Sequence, residues 1–141
     1  MAASCAATRR RALRRATAPG GEGAGRAEAL TSTARGGGRV HGPRPPLAPN
    51  YPPGAALGAL FRQDRAAGLR AAWLMSRLHA FDLSKLGITA DCLPVLDVPV
   101  EGAHDVIGNR AYGKDPDTVG AMGRAAAEGL LAGGVLPVIK H

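Results

Sequence analysis

Two short apolar segments of almost the same sequence lie 43 residues apart in this chain, and they constrain its fold more than any other feature. The first, LPVL, is followed by Asp97, and the second, LPVI, is followed by Lys140 and His141. A helical segment separates them, which is the pattern of successive βα units in a parallel sheet. We therefore predict an α/β fold in which residues 92–98 and 135–139 form strands that are buried on both faces.

Both runs contain a proline at the same place, Pro94 and Pro137. Proline lacks the N–H group that a central strand donates to its neighbour, so a single proline would argue against a buried strand. Because it occurs twice at equivalent positions, we interpret it as a local irregularity that the two strands share. The prediction of a parallel sheet is retained.

A first helix is predicted from about Asp64 to Leu86, with Gly87 at the point where it ends. Apolar side chains recur within it at steps of three and four residues, which places them on one face of a helix. That face is predicted to be buried. Its members are Ala67, Ala71, Leu74, Leu78 and Phe81.

A second helix is predicted to begin at Asp115, which has the side chain of an N-cap and is followed by Pro116 in the first helical position. Asp117 adds a negative charge to the first turn, where the helix dipole favours it. Gly133 ends the helix. The apolar face consists of Val119, Met122, Ala126 and Leu130.

The amino-terminal part of the chain has a different composition. The net charge of +7 arises in residues 1–50, where nine arginines face only Glu22 and Glu28, while residues 51–141 are neutral. Residues 1–35 contain too few large apolar side chains to offset the entropy of folding, so we predict a disordered or mistranslated basic tail. A transit peptide or a nucleic-acid-binding arm is the alternative, and nucleic acid is disfavoured because no stacking aromatic residues accompany the arginines. The folded part is predicted to span residues 36–141.

Polar side chains follow both predicted strands. In parallel α/β folds, ligands bind beyond the carboxyl ends of the strands, where Asp97, Lys140 and His141 are expected. The loop after the first strand adds charged and amide side chains suited to a polyhydroxylated ligand: His104, Asp105, Asn109 and Arg110. The alternative interpretation is that these groups are only solvated, with Asp97 capping a loop or pairing with Arg110.

Four segments in order resemble the motifs of glycoside hydrolase family 3, in particular its bacterial β-N-acetylhexosaminidases. They are GGRV at 37–40, GITADCLPVLDVPV at 87–100, AHDVIGNRAYGKDPDTV at 103–119 and GLLAGGVLPVIKH at 129–141. The resemblance implies a (β/α)8 barrel, of which this chain would hold only the amino-terminal part, because such barrels need about 250 residues.

The resemblance also implies an activity. Family members of this kind hydrolyse terminal β-linked N-acetylglucosamine in cytoplasmic peptidoglycan recycling, with retention of configuration and a covalent glycosyl-enzyme intermediate. The expected partners are saccharides or muropeptides that contain N-acetylglucosamine, and no cofactor or metal is expected. Arg110 of IGNRAY and the pair Lys140 and His141 of VIKH match substrate-binding positions of the family. Asp97 of PVLDV is expected to organise its loop.

The resemblance is incomplete at both ends of the chain. Before GGRV the family has an acidic segment with a substrate-binding aspartate, where this chain has Ala34, Arg35 and Gly36, and Gly42 replaces a second family arginine. The abrupt change of composition before Gly37 predicts a shifted reading frame upstream. After IKH the family continues into a loop with its acid/base histidine and, later, the aspartate nucleophile. No catalytic residue is therefore expected in this chain, which is expected to be inactive by itself; a non-catalytic sugar-binding remnant is the alternative.

Other classes of protein are excluded by composition. The longest apolar runs are far shorter than the roughly 20 residues that a membrane-spanning helix requires, so no membrane partner is expected. Cys5 and Cys92 lie far apart in unlike contexts, which indicates neither a disulfide framework nor a zinc site and favours a reducing compartment.

Overall fold

The computed structural model describes residues 31–34, 45–46, 48–102 and 105–141. The amino-terminal 30 residues, the GGRV motif and His104 lie outside the described residues. The described part of the chain contains three helices, one 3₁₀ turn and three short strands. They are β1 (Ser32–Thr33), α1 (Gly54–Gln63), α2 (Arg65–Ser84), β2 (Ala90–Asp91), the 3₁₀ turn Gly108–Arg110, α3 (Pro116–Ala132) and β3 (Leu136–Pro137).

The strands form a parallel sheet in the order β1-β2-β3, and α3 connects β2 to β3, as the repeated apolar runs predicted. Ala90 pairs with Leu136, and β2 ends at Asp91, before the predicted strand 92–98 begins. Pairing resumes further along as an isolated bridge between Val95 and Lys140. Pro94 lies between these two stretches and has no N–H to donate, which explains why the ladder is interrupted.

Strand β1 corrects the boundary of the predicted tail. Ser32 and Thr33 pair in parallel with Ala90 and Asp91, although both residues belong to the segment 1–35 that composition assigned to a disordered tail. The Cys92 N–H also donates to the Thr33 carbonyl at 2.7 Å. An outer strand of two residues is held by backbone hydrogen bonds and does not require the large apolar side chains on which the tail prediction depended.

The prediction that both runs are buried is confirmed only in part for 92–98 and is wrong for most of 135–139. Leu93, Pro94 and Val95 are buried and the rest of the first run is half-buried. In the second run Val135 is buried, whereas Leu136 is 47% and Ile139 62% exposed. Strand β3 is the last strand of the described sheet, and nothing in the described part of the chain covers its outer side. An edge position exposes side chains that a central parallel strand would bury.

Helix α1 was not predicted. Its sequence GAALGALFRQ contains two glycines, and its N-cap, Pro53, makes no side-chain capping bond, so the usual start signal is missing. Leu57 and Phe61 lie one turn apart and are both buried. They join the core that α1 forms with α2 and α3.

Helix α2 agrees with its predicted bounds, but the predicted buried face is wrong. Asp64 caps it, since the Ala67 N–H donates to Asp64 Oδ1 at 3.0 Å. Leu78 and Phe81 of the predicted face are 50% and 52% exposed. The face that is buried carries mostly smaller residues: Gly68, Ala72, Met75, Ser76, His79, Ala80 and Leu83.

Close helix packing is the reason for this choice of face. A Cβ atom on Gly129 of α3 would collide with the Trp73 carbonyl oxygen, and one on Gly68 would collide with the Phe61 backbone. Glycine at these positions lets the backbones of the packed helices approach closely. Larger side chains beside the contacts fill the remaining space. Hydrophobic periodicity gives small residues little weight, so it selected the face with the larger side chains.

Helix α3 confirms its prediction in both bounds and orientation. Val119, Met122, Ala126 and Leu130 are all buried, and the Thr118 N–H donates to Asp115 Oδ1 at 2.8 Å. Gly133 follows the helix as its C-cap. Within the described part of the chain, no helix combines the length and the apolar character that crossing a membrane requires.

The cap at Asp115 makes stability depend on pH. Hydrogen bonds from Thr118 lower the pKa of Asp115 below its ordinary value of 3.8. Because the folded-state pKa is depressed, the contribution is fully present above the unfolded-state pKa and is lost as the pH falls through the folded value. We expect Asp115→Ala to be less stable than the parent at pH 7, with the difference shrinking below about pH 4. Urea unfolding of both chains from pH 7 to pH 2.5 measures it, and a difference independent of pH would contradict the assignment.

Candidate functional site

The carboxyl ends of β2 and β3 bring together residues that are distant in sequence. The Leu96 N–H donates to the Lys140 carbonyl at 2.7 Å, and the Lys140 N–H donates to the Pro94 carbonyl at 3.2 Å. The segments that follow β2 and β3 therefore run side by side beyond the strands. Asp97 and His141 follow directly, and Asp97 Oδ2 lies 2.7 Å from His141 Nδ1 although they are 44 residues apart.

This contact orients the histidine ring. A carboxylate can only accept a hydrogen bond, so Nδ1 of His141 carries a proton in this contact and Nε2 is left for a hydrogen bond with a ligand hydroxyl. Both side chains are partly accessible, at 24% for Asp97 and 48% for His141. Within the described residues, Asp97 pairs with the histidine and not with Arg110, which was the alternative from the sequence.

Arg110 ends the 3₁₀ turn of the IGNRAY segment and is only 8% exposed. Its Nε atom is buried and has no hydrogen-bond partner among the described residues. An unsatisfied buried donor costs about 1–3 kcal/mol. The guanidinium group is a directional donor. An acceptor within hydrogen-bond distance of Nε would therefore remove the cost of leaving this donor unpaired.

Helix α1 holds this segment in place. A Cβ atom on Gly54 would collide with the Arg110 carbonyl oxygen, and one on Gly58 would collide with the Tyr112 carbonyl oxygen. The two glycines are four residues apart and share one face of the helix. The packing of α1 against this segment was not predicted from the sequence. The four-residue spacing of Gly54 and Gly58 was the signal that could have indicated it.

Tyr112 anchors the segment from the inside. It is 2% exposed, and burial, with a smaller contribution from the Asp91 carboxylate, raises its pKa far above the usual range. The phenol is therefore neutral at every physiological pH. Asp91 itself is fully buried at the end of β2. Neither residue was singled out from the sequence.

The loop after β2 borders a cavity of about 360 Å³ beside Asp97, within the size range of small-molecule sites. Its lining includes the carboxylates of Asp97, Glu101 and Asp105 and the ammonium group of Lys114. Of the described polar residues predicted for this edge, Asp97 and Asp105 line the cavity, whereas Asn109, Arg110, Lys140 and His141 do not. No cluster of three or more metal-ligating side chains occurs among the same residues.

A parallel sheet with packed helices and polar side chains beyond its carboxyl edge defines an α/β protein, the class in which ligand sites lie at that edge. The family described as Glycosyl hydrolase family 3 N terminal domain matches residues 25–141. The chain therefore belongs to this family, as the motifs indicated. The match begins upstream of residue 36, in agreement with the position of β1.

Several bacterial proteins are similar to this chain. It is 48% identical over 67 residues to the beta-hexosaminidase LpqI of Mycobacterium tuberculosis, covering 48% of this chain and 17% of that protein. It is 36% identical over 105 residues to a beta-hexosaminidase of Bordetella parapertussis, covering 74% of this chain and 30% of that protein. The chain thus spans between about a sixth and a third of the length of these relatives.

Solved structures agree with the sequence relatives. NagZ from Neisseria gonorrhoeae, in complex with N-trifluoroacetyl-D-glucosamine, superposes with a TM-score of 0.74 at 32% identity, covering 79% of this chain and 33% of that chain. LpqI of M. tuberculosis gives a TM-score of 0.66 at 38% identity, covering 79% of this chain and 31% of that chain. The arrangement of helices and strands described above is therefore that of a family 3 α/β protein.

Proposed function

We propose that this chain is the amino-terminal part of a (β/α)8-barrel β-N-acetylhexosaminidase that acts on terminal β-linked N-acetylglucosamine in cytoplasmic peptidoglycan recycling. The names of the relatives support the activity, and the sugar in the NagZ complex supports the substrate class. The observation that carries the proposal is the contact between Asp97 and His141. This contact supports the proposal because barrel enzymes bind their substrates at the carboxyl edge of the sheet.

Each of three residues has a role in this proposal. His141, oriented by Asp97, accepts a hydrogen bond from a sugar hydroxyl through Nε2. Lys140 donates from its ammonium group, and its backbone pairs with Val95 at the same edge of the sheet. Arg110 donates to the sugar through its guanidinium group, whose buried Nε has no partner among the described residues. Charge-assisted donors of this kind orient a sugar ring strongly.

The bond-breaking groups are proposed to lie outside this chain. A retaining glycosidase needs a nucleophile and a proton donor on the two sides of the scissile bond. The three proposed residues bind hydroxyl groups, and none is assigned either task. They would supply orientation, which is one part of catalysis but does not break the glycosidic bond.

We therefore expect the 141-residue chain to hydrolyse a chromogenic β-N-acetylglucosaminide no faster than buffer. Complete glycosidases accelerate such reactions by many orders of magnitude, so even weak catalysis would be visible. The control is the same preparation mixed with a family 3 hexosaminidase, which must remain active. Turnover that survives removal of host hexosaminidases would show that the catalytic groups are present here after all.

Sugar binding is expected to remain measurable without catalysis. Titrating N-acetylglucosamine should shift the amide resonances of Asp97, Arg110 and His141 together and saturably. Lys140→Met should weaken this binding at least about tenfold, since a charge-assisted hydrogen bond contributes about 1.5–3 kcal/mol. Lys85→Met, which removes an exposed charge at the C-cap of α2, serves as the matched control and should change little. Shifts that scatter over the chain, or equal losses in both variants, would count against the site.

A further inference from the structure

A groove of about 540 Å³ runs between α2 and α3 on the helical side of the protein. Arg65 and Arg70 of α2 line one wall, and Arg124 of α3 lines the other. None of its lining residues belongs to the carboxyl edge of the sheet. The groove is therefore separate from the proposed sugar site.

The groove carries an excess of positive charge. Three arginines face a single acidic lining residue, Glu128. Among the described residues, no carboxylate lies within 4.0 Å of Arg65, Arg70 or Arg124, since the ion pairs found there involve other side chains. The Arg70 guanidinium instead lies 5.0 Å from the centre of the Trp73 ring, where it covers the indole. These cations are available to pair with carboxylates from outside.

The floor of the groove is apolar. Leu69 and Trp73 contribute large side chains, and Ala121 and Ala125 of α3 leave room above them. An apolar floor gains nothing from a free phosphate ion, and a single indole offers no platform on which successive bases could stack. Glu128 at the wall would repel a continuous polyanion. A ligand that fits has separated carboxylates and at least one apolar side chain.

We propose that this groove docks an acidic peptide segment of a partner protein, with its carboxylates on Arg65, Arg70 and Arg124 and an apolar side chain against Leu69 and Trp73. Arginine and tryptophan are both enriched at the positions where protein interfaces concentrate their binding energy. Complementary charge would speed association and select the partner, and the apolar contact would hold it.

Trp73 is the single tryptophan of the chain, so its fluorescence reports directly on the groove. The probe is a 14-residue synthetic peptide with glutamate and leucine at helical spacing, and a matched peptide with lysine in place of glutamate is the control. We expect a saturable change in Trp73 emission with the glutamate peptide alone. Raising the salt concentration should weaken this binding because the contacts are exposed ion pairs.

Charge reversal locates the contact. The double variant Arg65→Glu/Arg124→Glu should weaken peptide binding at least tenfold, measured by anisotropy of the labelled peptide. Lys114→Glu, an equally exposed charge reversal in the loop after β2, should leave it within twofold. The salt and lysine-peptide experiments use the parent chain, so they decide the proposal even if the double variant folds poorly.

Several outcomes would overturn the proposal. Equal binding of the lysine peptide would show that only apolar contact is involved, and an equal loss in Lys114→Glu would show a general charge effect. Tighter binding of a single-stranded oligonucleotide that displaces the peptide would assign the groove to nucleic acid. If sedimentation shows a dimer that the glutamate peptide does not dissociate, the groove would be assigned to contact with a second copy of this chain.

Discussion

Replacing Gly58 by alanine is expected to destabilise the chain by about 3 kcal/mol, even though alanine is the better helix former. The added Cβ atom would collide with the carbonyl oxygen of Tyr112, and a backbone atom cannot move aside as a flexible side chain can. Forcing extra volume into such a contact costs about 1–3 kcal/mol and sometimes more. The midpoint of urea unfolding should fall accordingly. Because α1 supports the IGNRAY segment, N-acetylglucosamine binding through Arg110 should weaken as well.

Gly120→Ala provides the matched control on α3. A Cβ atom at this position would meet no atom within 4 Å, so only helix propensity changes. The substitution should stabilise the chain by about 0.5–1 kcal/mol. If Gly58→Ala lowers the free energy of unfolding and Gly120→Ala raises it, the close contact between Gly58 and the Tyr112 carbonyl is the cause of the difference. If both variants gained stability, the packing of α1 against Tyr112 would be wrong.

Truncation of Leu83 to alanine is expected to cost about 3 kcal/mol, within the usual range of 2–5 kcal/mol for a fully buried leucine. Leu83 is completely inaccessible and packs with Ala80, Ile88, Leu93 and Leu130. The cavity left behind is bounded by α3 and by the strand-end segments, which cannot collapse onto it without disturbing the sheet. Denaturant unfolding at equilibrium measures the loss.

Leu78→Ala tests the other face of the same helix. Leu78 is 50% exposed, and its loss should cost less than about 1 kcal/mol. Leu78 belongs to the face predicted from periodicity, and Leu83 belongs to the face that the structure buries. Losses of similar size, or a larger loss at Leu78, would favour the periodicity-based orientation and contradict the packing of α2 against α3.

Features that depend on neighbouring residues could be predicted from the sequence. Asp115 and Pro116 start α3 because a capping carboxylate and a fixed φ angle act within one turn. The buried face of α3 follows from the spacing of Val119, Met122 and Leu130. LPVL and LPVI are similar and a helical segment lies between them. This predicted a parallel pair of strands, because parallel strands need a long crossover connection, which is usually a helix. That parallel order also placed Asp97 and His141 at the same edge of the sheet.

The tertiary structure decided what depends on close packing between distant segments. The amino-acid sequence by itself determined the family motifs, the caps, the parallel order and the polar edge, since each follows from local geometry or from a fixed rule of chain connection. It could not select the small-residue face of α2, because backbone approach at Gly68 and Gly129 depends on which helix lies opposite. Nor could it show that Asp97 pairs with His141 and not with Arg110, because the hydrogen-bond partner of a side chain is set by register across the sheet.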